Sequence, residues 1–245
     1  MYKRLTLPIF IAILALAALA LAAEWWEKKP YAQWNDKEVE RMLDNSPWGK
    51  VHAVTIMPDT EPATRTFEST GGGDLEREKR NLFHLHFLSA KPVRMAIARQ
   101  IMLATKEGVP DAAAIDRFVQ QGDDKHIVIS MTLSSVPKGL SSVRGYWSSL
   151  LNLSTTNLTA NTALATKTGK RVYLVRYDKP GQDGMGAKYY FSRYMKDGSP
   201  LVTENDKEVR FETIVPLNES GTTREDRVWM QFDVRKMVFE GKLEI

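Results

Sequence analysis

Three separate stretches of the chain carry apolar residues with a period of two. Phe83, Leu85 and Phe87 are interleaved with His84 and His86; Ile127, Ile129, Met131 and Leu133 recur at every second position; Val209, Phe211, Thr213 and Val215 stand against Arg210 and Glu212. Successive side chains on a strand point to opposite faces, so each stretch reads as a strand with one buried side, the pattern of an antiparallel sheet. After Asn152 the runs Val172–Tyr177, Ala187–Met195, Glu208–Pro216 and Arg227–Val234 are separated by Gly, Pro and Asn turn signals. That spacing predicts a β-meander. Met237–Ile245 reads as one more strand, while the Thr-, Asn- and Ser-rich stretch 152–168 shows no core pattern.

Helical periodicity is concentrated earlier. Asn35 and Glu38 have the spacing of a capping box, and Val39, Met42 and Leu43 follow at i, i+3, i+4 before Ser46-Pro47 stops the run. A second helix is predicted from Pro92, a favoured first-turn residue, to Ala104, and another from Asp111 to Gly122 around Ile115, Phe118 and Val119. Ser141–Leu151 reads as a further helix around Tyr146, Trp147 and Leu150. Residues 58–80, with Pro58, Pro62 and Gly71-Gly72-Gly73, read as a long loop. The expected fold is α+β: a largely antiparallel sheet, a β-rich C-terminal half, and two or three helices in the N-terminal half.

The first two dozen residues carry a different signal. Lys3 and Arg4 precede an uncharged apolar run from Leu5 to Ala23, and Ala20-Leu21-Ala22 matches the small-residue pattern read by signal peptidase. Residues 1–22 are therefore expected to be a secretory signal, 23–49 a Trp-rich segment with a short helix, and 50–245 a single domain. An uncleaved membrane anchor is the alternative, since the run approaches the roughly 20 residues that span a bilayer. Either way the expected location is extracytoplasmic, periplasmic or secreted, with membrane contact only through the N-terminus. The chain has no cysteine, which excludes disulfides, thiol catalysis and Cys-ligated metals and leaves the core alone to hold the fold. Loss of Lys3 and Arg4 would take the formal charge from +4 to +2. Lys and Arg are interspersed with Asp and Glu rather than clustered, which argues against nucleic acid.

Candidate chemistry is sparse, and no cofactor motif is present. His84 and His86, at i and i+2, point the same way from one strand and could begin a metal site, for which His52 or His126 would have to supply a further ligand. No serine lies in G-x-S-x-G; Gly139 to Val143 around Ser141-Ser142 fails it. Gly71-Gly72-Gly73 lacks the Lys-Ser/Thr of a phosphate loop. Trp25, Trp26, Trp34 and Trp48 concentrate four of the six tryptophans in one segment. Such rings either bind a partner or sugar or tie the N-terminal helix onto the domain.

Lys29-Pro30-Tyr31, Trp34, Glu38-Val39 and Ser46-Pro47-Trp48, together with Ser89-Ala90, Pro92-Val93-Arg94 and the C-terminal Phe232 and Gly241-Lys242-Leu243-Glu244, resemble an uncharacterised family of predicted secreted bacterial proteins of acidobacterial type. The resemblance implies export and assigns no activity. On sequence alone the favoured reading is an exported, non-enzymatic protein that binds an envelope protein, glycan or lipid. The alternative is an exported hydrolase or metal-binding protein with its site around His84 and His86.

Overall fold

In the computed structural model, residues 24–56, 79–105, 111–219 and 222–245 are described. The candidate signal, the glycine run of the 58–80 loop and Val109-Pro110 lie outside them. The helices are α1 (Asp36–Asp44), α2 (Lys91–Ala104), α3 (Ala112–Gln120), α4 (Ser141–Asn152) and the single turn α5 (Thr155–Leu158). The strands are β1 (Gly49–Thr55), β2 (Arg80–Phe87), β3 (His126–Val136), β4 (Ala163–Thr166), β5 (Arg171–Asp178), β6 (Ala187–Ser192), β7 (Glu208–Glu219) and β8 (Thr222–Asp233). These eight form one antiparallel sheet in the order β1-β2-β3-β6-β5-β4-β7-β8. Among the described residues no helix is long and apolar enough to cross a membrane.

The sheet curls until its two edge strands face each other. Lys50 on β1 donates from Nζ to the Gln231 carbonyl on β8 at 2.7 Å, and the His52 ring lies 6.4 Å from that of Trp229. Side chains thus span a seam where a closed barrel would carry backbone bonds. Covering an edge in this way removes the template for unwanted strand pairing. Inside, aromatic rings meet edge to face: Phe87 with Phe232 at 4.7 Å, Phe83 with Tyr146 at 5.0 Å, and Tyr189 with Phe211 at 5.4 Å. Such pairs add to the burial free energy of the rings themselves. Helix α4 supplies Tyr146 to this core and is also tied to it by the Tyr177 hydroxyl, which donates to the Leu150 carbonyl at 2.7 Å.

Several expectations are corrected. The helix expected at Ser141–Leu151 is present as α4, but one more helical turn, α5, follows it inside the stretch 152–168 that showed no core pattern. The last strands do not form a simple meander: β4, β5 and β6 run in sequence toward β3, and β7 then returns to the far side of β4. Strand β4 has no alternating pattern because it is short and central, with Ala163 and Leu164 fully buried and Thr166 nearly so. The C-terminal segment is not one strand but a two-residue pair, β9 (Val238–Phe239) and β10 (Lys242–Leu243), turned by Glu240 and Gly241 at φ 50° and 74°. Positive φ at both turn positions is the geometry such tight hairpins require.

Helix α1 packs on β1, β2 and α2, and both helices border a cleft over the polar side of β2 and β3. The α1–β1 connection is the Ser46-Pro47-Trp48-Gly49 turn. Ser46 Oγ accepts the backbone N–H groups of Trp48 and Gly49 at 3.1 and 3.0 Å. A Cβ on Gly49 would stand 1.9 Å from the Leu43 carbonyl oxygen, so only glycine permits that approach. This turn sets where the end of α1 meets the sheet.

Candidate functional site

Asp44, the last residue of α1, reaches across to the polar side of β2. His84 Nδ1 stands 2.8 Å from Asp44 Oδ1, and His84 Nε2 stands 2.7 Å from Ser134 Oγ on β3. A carboxylate can only accept, so Nδ1 carries the proton and donates to Asp44. In that tautomer Nε2 carries no proton and accepts from the Ser134 hydroxyl. The register explains the meeting: His84 lies opposite Thr132 and Ser134 opposite Leu82, so His84 and Ser134 are diagonal neighbours on one face. An acid orienting an imidazole whose far nitrogen holds a hydroxyl proton is the arrangement that activates serine as a nucleophile.

His86 adds a second arm to the same carboxylate. Its Nε2 is 3.7 Å from Asp44 Oδ1, beyond hydrogen-bond length, and its Nδ1 is 3.4 Å from Ser130 Oγ. Burial drives the His86 pKa down from its ordinary 6.5, against the opposing pull of Asp44, so the ring is neutral at pH 7. Burial alone would raise the Asp44 carboxyl, but the two imidazoles outweigh it and hold it at about 2.

These groups floor a cleft of about 830 Å³ between the helices and the sheet. Val39, Leu43, Ile97 and Ile101 give it an apolar wall, and Thr132, Met185 and Gly184 stand opposite. Gly186 (φ 76°) holds the β5–β6 turn against β3; a Cβ there would lie 2.0 Å from the Met131 carbonyl oxygen and 2.8 Å from Thr132 Cγ2.

The two shifts give an acid-stability prediction. An acid with a lowered folded pKa stabilises the fold above its unfolded value and loses that contribution as pH falls through the folded one. For Asp44 the window runs from near pH 4 down to about 2. A base with a lowered folded pKa, His86, begins to lose its contribution below its ordinary 6.5. Unfolding free energy should therefore fall with acidification from about pH 6.5. The Asp44 share is about 2 kcal/mol, kept below the full shift because the carboxylate is partly open to water. Denaturant titrations at stepped pH measure this, and Asp44→Asn should flatten the slope between pH 4 and 2. An unchanged slope would refute the assignment.

The other residues singled out from sequence go elsewhere. The four indoles pack on one another: Trp25 on Trp26 at 5.5 Å, Trp25 on Trp34 at 5.4 Å, and Trp26 on Trp48 at 5.4 Å. Trp34 and Trp48 are fully buried, Trp26 nearly so, and Trp25 partly. The Trp48 Nε1–H donates to the Glu244 carbonyl at 2.7 Å. The arrangement presents no open aromatic platform. His52 and His126 do not join His84 and His86: His52 faces Phe83 and Trp229 at the seam, and His126 pairs with Asp123 at 3.1 Å. Among the described residues no three His, Asp or Glu side chains converge as a metal site.

Asp44 and Ser134 are the members that sequence reasoning missed. A serine on a strand fits no nucleophile motif, but Ser130, Thr132 and Ser134 are the polar half of the alternation that marks β3. Asp44 also carried a signal, because a carboxylate at a helix C-terminus opposes the helix dipole and calls for a nearby compensating donor. Comparison with known proteins adds no relative: no family model, no curated protein and no solved structure matches the chain.

Proposed function

We propose that this protein is an exported hydrolase of carboxylic esters or related acyl compounds, with Ser134 as nucleophile, His84 as general base and Asp44 as its orienting acid. One observation carries the reading: opposite nitrogens of a single imidazole hold Ser134 Oγ at 2.7 Å and Asp44 Oδ1 at 2.8 Å on the floor of a cleft. In the first step the Ser134 proton passes to His84 Nε2 as Oγ bonds to the substrate carbonyl carbon. The protonated imidazole, held by Asp44, returns that proton to the leaving alcohol as the carbon–oxygen bond breaks. Water then repeats the sequence on the acyl-serine, releasing the acid and restoring the hydroxyl.

The envelope-binding reading favoured from sequence drew on the lack of a catalytic or cofactor motif and on the Trp-rich segment, and the burial of Trp26, Trp34 and Trp48 leaves the second of these with less support. The extracytoplasmic setting rests on residues 1–22 and belongs to the proposal. A fluorophosphonate probe tests the reading. Purified protein should be labelled at Ser134, with labelling lost in Ser134→Ala and His84→Ala variants that keep their melting transition. Folded protein that takes no label, or takes it at another serine, refutes the assignment.

A further inference from the structure

Among the described residues the cleft is lined by four carboxylates, Asp36, Glu40, Asp44 and Asp183, and by no Lys or Arg. The contrast with the chain is sharp, since Lys and Arg exceed Asp and Glu overall and the formal charge is +4. Asp183 is neutralised by Lys188, and Asp44 is engaged by His84. Asp36 and Glu40, one turn apart on α1 and exposed, make no ion pair among the described residues. The mouth is therefore a negative field over a low-dielectric wall, which concentrates cations and repels anions.

Two further observations point to an organic ligand rather than to solvated surface acids. His86 is 6% exposed and lines the cleft, yet its Nε2 makes no hydrogen bond among the described residues. A buried, unpartnered ring nitrogen is costly unless a ligand or water completes it. The last turn of α2 also presents Ile101 and Leu103 to the cleft at 40% and 37% exposure, an apolar surface left open among the described residues. Acidic rim and apolar wall together suit a cation that carries hydrocarbon.

We infer that the cleft selects substrates bearing an alkylammonium group, so that the ester hydrolysed at Ser134 is cationic, with Asp36 and Glu40 attracting the charge and Ile101 and Leu103 taking the apolar part. The inference rests on the hydrolase reading for the word substrate, but the selectivity for a cation can be measured without turnover.

The test uses three probes of similar apolar body and different charge: phenyltrimethylammonium, tert-butylbenzene and benzoate. Their binding to the purified full chain is followed by NMR titration at low salt. Phenyltrimethylammonium should bind about tenfold more tightly than tert-butylbenzene, a gap of about 1.4 kcal/mol, and benzoate should bind most weakly. The preference should shrink as salt rises past the screening range and should largely vanish in the Asp36→Asn/Glu40→Gln double variant, which leaves Asp44, His84 and Ser134 intact. Equal affinity for charged and neutral probes, no binding of any, or a preference unchanged in the double variant overturns the inference. If cation selectivity appears while Ser134 resists fluorophosphonate, the selectivity stands and the hydrolase reading fails; labelling without selectivity is the reverse.

Discussion

Ser134→Ala is expected to lower kcat for hydrolysis of a short-chain ester by about 10³-fold or more while leaving the fold intact. The serine contributes only a partly buried hydroxyl on β3, so its stability cost should stay within about 1 kcal/mol. His84→Ala should reach a similar floor, because a nucleophile and its base fail together. Asp44→Asn should retain more activity, since the imidazole keeps its place but loses the partner that fixes its tautomer. The Ser134→Ala/His84→Ala double variant is the discriminating measurement. Groups acting as one unit are far from additive, so the double should be no slower than the worse single. A purely structural network predicts something different: stability losses in His84→Ala and Asp44→Asn, with any residual ester cleavage unchanged in Ser134→Ala. That second pattern would remove Ser134 from the chemistry.

How far the site could be read from sequence depends on which physical signal each member carries. The strands that hold it were legible, because the alternations through Phe83–Phe87 and Ile127–Leu133 demand one buried face. Once those strands pair antiparallel, His84 and Ser134 must fall on the same outer face. What periodicity could not supply was the cover. A polar strand face reads as solvent-facing, yet α1 and α2 border a cleft over this one, where His86 is only 6% exposed. Helix-on-sheet docking is long-range and leaves no local spacing to detect. The capping box of α1 was visible and is present, with Asn35 Oδ1 accepting from Glu38 N at 3.0 Å and Glu38 Oε2 accepting from Asn35 N at 2.8 Å. The far end of that helix was harder, because Asp44 is unfavourable for the dipole and is compensated only by residues forty positions on. A position that breaks a local rule without a local remedy is where function tends to sit. The return of β7 beside β4 was illegible for the opposite reason: Ala163–Thr166 is only four residues long and sits in a Thr-, Asn- and Ser-rich stretch that passes for linker.

Trp48→Ala is expected to be the most damaging single substitution in the N-terminal segment, lowering unfolding free energy by about 4 kcal/mol. Phe- or Trp-to-Ala changes in cores cost about 3–5 kcal/mol through lost transfer energy and the cavity left behind. Trp48 is fully buried, rests on Trp26 at 5.4 Å, and donates to the Glu244 carbonyl at 2.7 Å, so it joins the Trp25–Glu27 turn to the C-terminal residues. Trp48→Phe separates these contributions. It keeps most of the apolar contact but removes the donor, and should cost about 1–2 kcal/mol, partly from the unpaired carbonyl. Trp25→Ala, at a partly exposed ring, should cost less than Trp48→Ala because less surface leaves water on folding. Equilibrium denaturation of the three variants tests the ranking. A Trp48→Ala loss below about 1 kcal/mol would mean that the tryptophan segment is not part of the core, and the position of α1, with Asp44 at its end, would then lose its structural basis.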